Sequence, residues 1–163
     1  MVAPPVDIFG LARNVGAWSE RLPHYLRSRV VAEREGRALV TFVAVRWFGP
    51  VPYPVAWRAI CWSDPSDPAD LQLRFRHVRG LTRGMQVTWH IRRERRAPGG
   101  SRVTIEHDFS RTLPGGLPLP PDLLPRLVDR WFTRPVASRT LATFATLAEA
   151  GEAARQRQRE GAA

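Results

Sequence analysis

Two histidines stand where an alternating strand pattern turns them inward. His77 closes the row Leu71, Leu73, Phe75, His77, and His107 falls between Ile105 and Phe109. Imidazole titrates near neutrality. A histidine facing an enclosed apolar space can therefore anchor a ligand's polar group, or act as general acid or base toward a polarised ketone. A core histidine satisfied by a backbone or carboxylate partner fits the same pattern. Arg79 lies two residues past His77 and continues that face at the strand end. A guanidinium there can orient a carboxylate or phenolate, or stand in solvent. These three are the candidate catalytic groups. His24 and Tyr25 either cap the same space or begin a strand, and His90 falls on a polar face.

Other chemistries are excluded by what the chain lacks. All 25 basic residues are arginine, so Schiff-base chemistry and a lysine base are ruled out. Cys61 is the single cysteine and lies in the apolar run Ala59-Ile60-Cys61-Trp62, as a buried small hydrophobe does. No histidine–cysteine cluster has metal-ligand spacing, and there is no nucleotide-binding glycine loop and no Gly-x-Ser-x-Gly elbow. Glu106 and Asp108 alternate with the apolar row of their strand and face solvent, so they form no paired-carboxylate site. No cofactor is expected.

The elements that position these groups are legible from periodicity. Pro4-Pro5 opens two short helices that end at Leu22-Pro23-His24-Tyr25, with a joint near Asn14–Gly16. The period then changes from 3.6 to 2. Arg29–Glu33 and Leu39–Trp47 form a hairpin about Glu35-Gly36-Arg37, and Val55–Trp62 follows Gly49-Pro50. Leu71–Val78 comes next. Met85, Val87, Trp89 and Ile91 share a face, as do Val103, Ile105, His107 and Phe109, with turns at Gly80–Gly84 and Ala97–Gly100. This is an antiparallel meander with one apolar face. After the loop Thr112–Pro121, Leu124, Leu127, Val128, Trp131, Phe132, Leu141, Phe144, Leu147 and Ala148 give one long amphipathic helix, kinked at Pro135. The 163 residues fit one domain over 1–154 and a polar, fraying tail over 155–163.

A single helix must cover the apolar face of six strands. A twisted sheet wrapped around it leaves a gap where the sheet curves away, and a gap lined by aromatic residues holds an apolar molecule. The candidate lining is Trp18, Tyr25, Trp57, Phe75, His77, Met85, Val87, Trp89, Ile105, His107, Phe109, Leu127, Trp131 and Phe132. Aromatic and methionine stripes of this kind also make plain core.

The order of elements resembles the helix-grip fold of the START-like superfamily, which includes polyketide cyclases and coenzyme Q-binding proteins. Trp18 with Leu22-Pro23-His24-Tyr25 resembles its helix-to-strand passage. Phe75-Arg76-His77-Val78-Arg79-Gly80 and Thr82-Arg83-Gly84-Met85 resemble its central hairpin. Val103–Phe109 resembles its last strand, and Arg139-Thr140-Leu141 its terminal helix. The resemblance implies an α+β fold with a curved antiparallel sheet around a long C-terminal helix. It also implies a cavity for a lipid, quinone or polyketide-like molecule. One departure is plain: the family's first strand, which pairs with the last, is reduced to Met1-Val2-Ala3. Either the chain starts downstream of the true start, or the edge at Val103–Phe109 is left open and invites pairing with a second copy.

Three readings follow. The first is a binding module for an apolar molecule. The second is a polyketide cyclase or aromatase assisting aldol closure and dehydration. The third takes the net charge of +10, with Arg74, Arg76, Arg92, Arg93, Arg95 and Arg96 on adjacent strands, as a polyanion-binding patch. That patch has no interleaved aromatic residues, which argues against base stacking and hence against a specific nucleic-acid partner. No apolar run reaches the length of a membrane span, which leaves peripheral membrane contact open. No signal peptide is apparent, so the expected location is the cytoplasm.

Overall fold

The computed structural model describes residues 1–48, 50–95, 99–109 and 123–160. The loop expected at Thr112–Pro121, Ala97 and Pro98 of the Ala97–Gly100 turn and Gly49 lie outside the described residues. Six strands form one antiparallel sheet in simple sequence order: β1 (Tyr25–Arg34), β2 (Arg37–Phe48), β3 (Val51–Asp64), β4 (Leu71–Gly80), β5 (Gln86–Arg93) and β6 (Ser101–Asp108). The β1–β2 turn is a two-residue loop with Glu35 and Gly36 both at positive φ, 52° and 70°. That backbone matches the strand twist in a hairpin. Register shifts between Tyr25 and Arg27, between Val30 and Ala32, and at Arg58/Ala59 bend the strands and curve the sheet.

The concave face is built from alternate residues: Val40, Phe42 and Ala44 on β2, Leu73, Phe75 and His77 on β4, and Val87, Trp89 and Ile91 on β5, all buried. Two elements close it. The first is the N-terminal group: α1 (Pro5–Arg13), a 3-10 turn (Val15–Ala17) and α2 (Trp18–Arg21). Pro5 sits in the first turn of α1, where its missing N–H costs nothing. Trp18 is pinned by its indole Nε1, which donates to the Ala12 carbonyl at 3.0 Å. The second is the C-terminal helical run: α3 (Leu123–Val128), a π turn (Asp129–Thr133) and α4 (Arg134–Glu160).

The π turn and Pro135 belong together. Pro135 has no N–H for the Trp131 carbonyl four residues back. The guanidinium Nε of Arg46 donates to that carbonyl instead, at 2.7 Å. The kink expected at the proline is thus a widened turn just before it. Below it, α4 presents Val136, Thr140, Phe144 and Ala148 to the sheet at four-residue steps, with Thr140, Phe144 and Ala148 buried. The helix also continues through Glu160, past the point where a fraying tail was expected. Arg155 reaches both Glu152 (2.7 Å) and Asp7 of α1 (2.8 Å).

The N-terminal residues lie against β6. Met1 and Ser101 exchange two backbone hydrogen bonds, each 2.9 Å, as an antiparallel rung does. The Ser101 hydroxyl donates to the Ala3 carbonyl. Beyond that rung the outer edge of β6 has no strand partner among the described residues.

Candidate functional site

Between the concave face and the start of α4 lies an apolar cavity of about 90 Å³. Trp18, Tyr25, Trp57, Phe75, His77, Met85, Val87, Trp89, Ile105, His107 and Phe132 line it, with Phe42, Val55, Thr82, Thr133, Val136, Ala137 and Thr140. It is smaller than the roughly 300–1,000 Å³ of ordinary ligand sites, and the reason is Trp18. Its ring packs on Tyr25, Phe42, Phe75, Trp89 and Phe144 at centroid distances of 5.4 to 6.0 Å, filling the back of the space. A second pocket of about 540 Å³ adjoins it on the solvent side, lined by Ile105, His107, Phe109, Arg126, Asp129, Arg134, Ala137, Ser138 and Leu141. Ile105, His107 and Ala137 form the wall common to both.

Four sequence candidates stand outside the inner cavity. Phe109 lines the outer pocket only. Arg79 is exposed because β4 carries one extra residue: Ala59 pairs with His77, but Arg58 pairs with Arg79. The skipped Val78 reverses the alternation, so Arg79 shares the outer face with Arg58. Leu127 and Trp131 are exposed because the buried positions of the helical run step by five across the π turn, from Val128 to Thr133. That step brings Phe132 and Thr133 to the cavity and turns Trp131 away.

The polar groups of the inner cavity are few and mostly paired. His77 Nδ1 lies 2.6 Å from Thr82 Oγ1, and its ring stacks on Trp57 at 6.0 Å and 8°. Burial, reinforced by nearby His107, lowers its pKa from 6.5 to about 3. His24 is lowered to about 4, by burial first and then by the charge of Arg139. Thr140 donates its hydroxyl to the Val136 carbonyl (2.8 Å), so at 2.9 Å it accepts from His24 Nε2. The Tyr25 phenol reaches the same hydroxyl, while burial pushes its pKa up. Thr140 is a three-way junction between α4 and the start of β1. Burial likewise raises the Cys61 thiol, which keeps it protonated.

His107 differs from these. Its Nδ1 lies 3.9 Å from Asp129 Oδ1, in the wall between the two pockets. Burial lowers its pKa, the Asp129 carboxylate opposes that, and Arg134 adds to it. Asp129 accepts from the Thr133 hydroxyl at 2.6 Å and from Arg134 Nε. Sequence reading did not single out Asp129, whose relation to His107 exists only once the π turn sets the helix against β6. His90, on the outer face, is also more than a solvated residue. Its Nδ1 lies 2.8 Å from Asp70 Oδ2, which also accepts from Arg92 and Gln72. Burial opposes ionisation of Asp70, but these partners outweigh it and hold its pKa at about 2. Arg74 and Arg92 of the basic outer face are paired with Asp64 and Asp70.

The site can therefore hold an apolar group against aromatic rings and offer hydrogen bonds from neutral imidazoles and hydroxyls. It holds no lysine, and no grouping of side chains suited to a metal occurs among the described residues.

Two solved structures share the arrangement of elements around this cavity. TTHA0849 from Thermus thermophilus superposes over 93% of both chains with a TM-score of 0.68 and 21% identity. The Zhui aromatase/cyclase from Streptomyces sp. R1128 superposes over 91% of this chain and 88% of its own, with a TM-score of 0.67 and 15% identity. The chain has the helix-grip fold. At these identities the likeness extends to the fold alone. No protein-family model matches the sequence, and no curated protein matches it. The cavity lies at the start of α4, where Val136, Ala137 and Thr140 face the concave side of the sheet just after the π turn.

Proposed function

We propose that this protein binds a small hydrophobic molecule, lipid-, quinone- or polyketide-like, by its apolar end. The observation that carries the reading is the pair of chambers sharing one wall. The inner one, about 90 Å³ and aromatic, takes an apolar end; the outer one, about 540 Å³ and more polar, takes the remainder. Ala137 lies in the common wall, so the larger side chain of Ala137→Trp fills the space where the two pockets meet. Native mass spectrometry of protein purified from its host should show a bound small molecule in the wild type and none in Ala137→Trp. Wild-type protein that carries nothing, and whose tryptophan fluorescence is unmoved by 2-naphthol, overturns the reading.

A second reading, a cyclase or aromatase, is favoured by one observation: His77 and His107 both line the inner cavity, with Asp129 behind His107. A neutral imidazole can take the proton from a carbon between two ketones. The resulting imidazolium at His107 is stabilised by Asp129, and can return the proton to the oxygen that becomes alkoxide on aldol closure. Burial around His77 disfavours an imidazolium there, which leaves His77 as a hydrogen-bonding anchor. The Zhui protein is described as an aromatase/cyclase. Ring closure of a poly-ketone that is unchanged in His107→Gln removes this reading while leaving the binding reading intact. The open edge of β6 is the surface on which a second copy pairs in this proposal, and the oligomeric state in solution tests it.

A further inference from the structure

The cavity end of the molecule is exposed and aromatic. At the tip of the β2–β3 hairpin, Trp47 is 42% exposed, Val51 59% and Tyr53 54%; beside it, Trp131 is 45% and Leu127 39% exposed. These come from separate elements joined at one point. Arg46 stands opposite Tyr53 in the β2–β3 ladder and donates to the Trp131 carbonyl at 2.7 Å. The group adjoins the cavity directly, because Val55, two residues along the same strand face from Tyr53, and Phe132, next to Trp131, both line it. Its charged neighbours are Arg46, Arg126, Arg130 and Arg134, against Asp129, whose carboxylate is already held by Arg134 and Thr133.

Large exposed apolar side chains gathered at one end mark an interaction surface. Tryptophan and tyrosine suit the boundary between headgroups and acyl chains, because each has an apolar body and a polar tip. Arginine pairs with phosphate oxygens in bidentate fashion and is drawn to a negatively charged leaflet. No helix among the described residues is long and apolar enough to cross a membrane, so the contact is one of surface docking. We propose that this end of the molecule docks on an anionic phospholipid bilayer, with Trp47, Tyr53 and Trp131 entering the headgroup region and the flanking arginines holding phosphates. Docking in this pose brings the Val55 and Phe132 side of the inner cavity nearest the acyl chains. The proposal goes beyond the binding reading and fails separately from it, because vesicle binding requires no occupant of the cavity.

The test is sedimentation with phosphatidylcholine vesicles, with and without phosphatidylglycerol. The expected result is at least about a tenfold gain in partitioning with phosphatidylglycerol, weakened by added salt. Trp47→Ala/Trp131→Ala should lose at least about tenfold while keeping the wild-type circular dichroism and Tm. Arg74→Gln/Arg76→Gln, paired with Trp62 and Ile60 at the far end of β3 from Val51, serves as control and should bind as wild type does. No sedimentation with anionic vesicles overturns the proposal, as does binding lost in the control but kept in the tryptophan variant. A concentration-dependent dimer that Trp47→Ala/Trp131→Ala dissolves, without vesicle binding, assigns the surface to a second copy instead.

Discussion

Lowering the pH from 7.5 to 4.5 should destabilise this fold through His77, and the size of the effect follows from its surroundings. In the unfolded chain its imidazole has the ordinary pKa of 6.5, whereas in the native state burial and nearby His107 lower it to about 3. A histidine with a depressed native pKa favours the folded state above 6.5, and that advantage is lost as the pH falls, because only the unfolded chain takes up the proton. Two units below 6.5, at about 1.4 kcal/mol per unit, correspond to about 2–3 kcal/mol lost by pH 4.5. His24 adds a loss of the same sign over the window from 6.5 to about 4. Asp70 acts only from its ordinary 3.8 down to about 2, below the range compared. His77→Gln retains a partner for Thr82 and does not titrate. The assay is urea unfolding at both pH values for wild type and variant, compared as the difference between their pH-dependent losses. That difference should be about 2–3 kcal/mol. Equal losses in the two proteins would mean that His77 is solvated or charged in the native state, and would refute the reasoning.

Three further outcomes are expected. Gly80→Ala places a Cβ 2.6 Å from the Ala56 carbonyl oxygen and 3.0 Å from Trp57 Cα, at a φ of +99°; it should cost more than about 2 kcal/mol by thermal unfolding. Thr140→Val removes the hydroxyl that accepts from buried His24; an orphaned donor there costs about 1–3 kcal/mol by urea unfolding, and a neutral result refutes the junction. Trp18→Leu should lower Tm by loss of packing but enlarge the cavity, so calorimetry with 2-naphthol should show tighter binding than in the wild type.

The sheet was legible in the sequence because one side of its central strands had to be buried. Alternation in Leu71–His77, Gln86–Arg93 and Val103–His107 has only one reading as a half-buried meander. The inward row Val40, Phe42 and Ala44 carried the same signal, and Phe42 could have been named from it. The placements that escaped depend on register, which composition does not encode. The extra residue at Val78 reversed Arg79, yet nothing in Phe75–Gly80 marks a bulge. The π turn shifted the helical stripe by one position, exchanging Trp131 for Thr133, and only Pro135 hints at it. Asp129 became a partner of His107 through packing across 22 residues of chain, with no local cue. The family resemblance carried the order of elements but not the cavity's size, because Trp18 fills from the N-terminal side what the sheet and α4 leave open.

That last feature separates framework from capacity. The six strands and α4 hold together through Phe144, Thr140 and the inward rows of the sheet, whereas the free space is set by one indole on a four-residue helix anchored to the Ala12 carbonyl. On the binding reading proposed above, substitutions within Val15–Leu22 change how long a molecule the cavity takes. On that reading the sheet and α4 are a constant chassis, and residue 18 is the stop that sets how deep a guest goes.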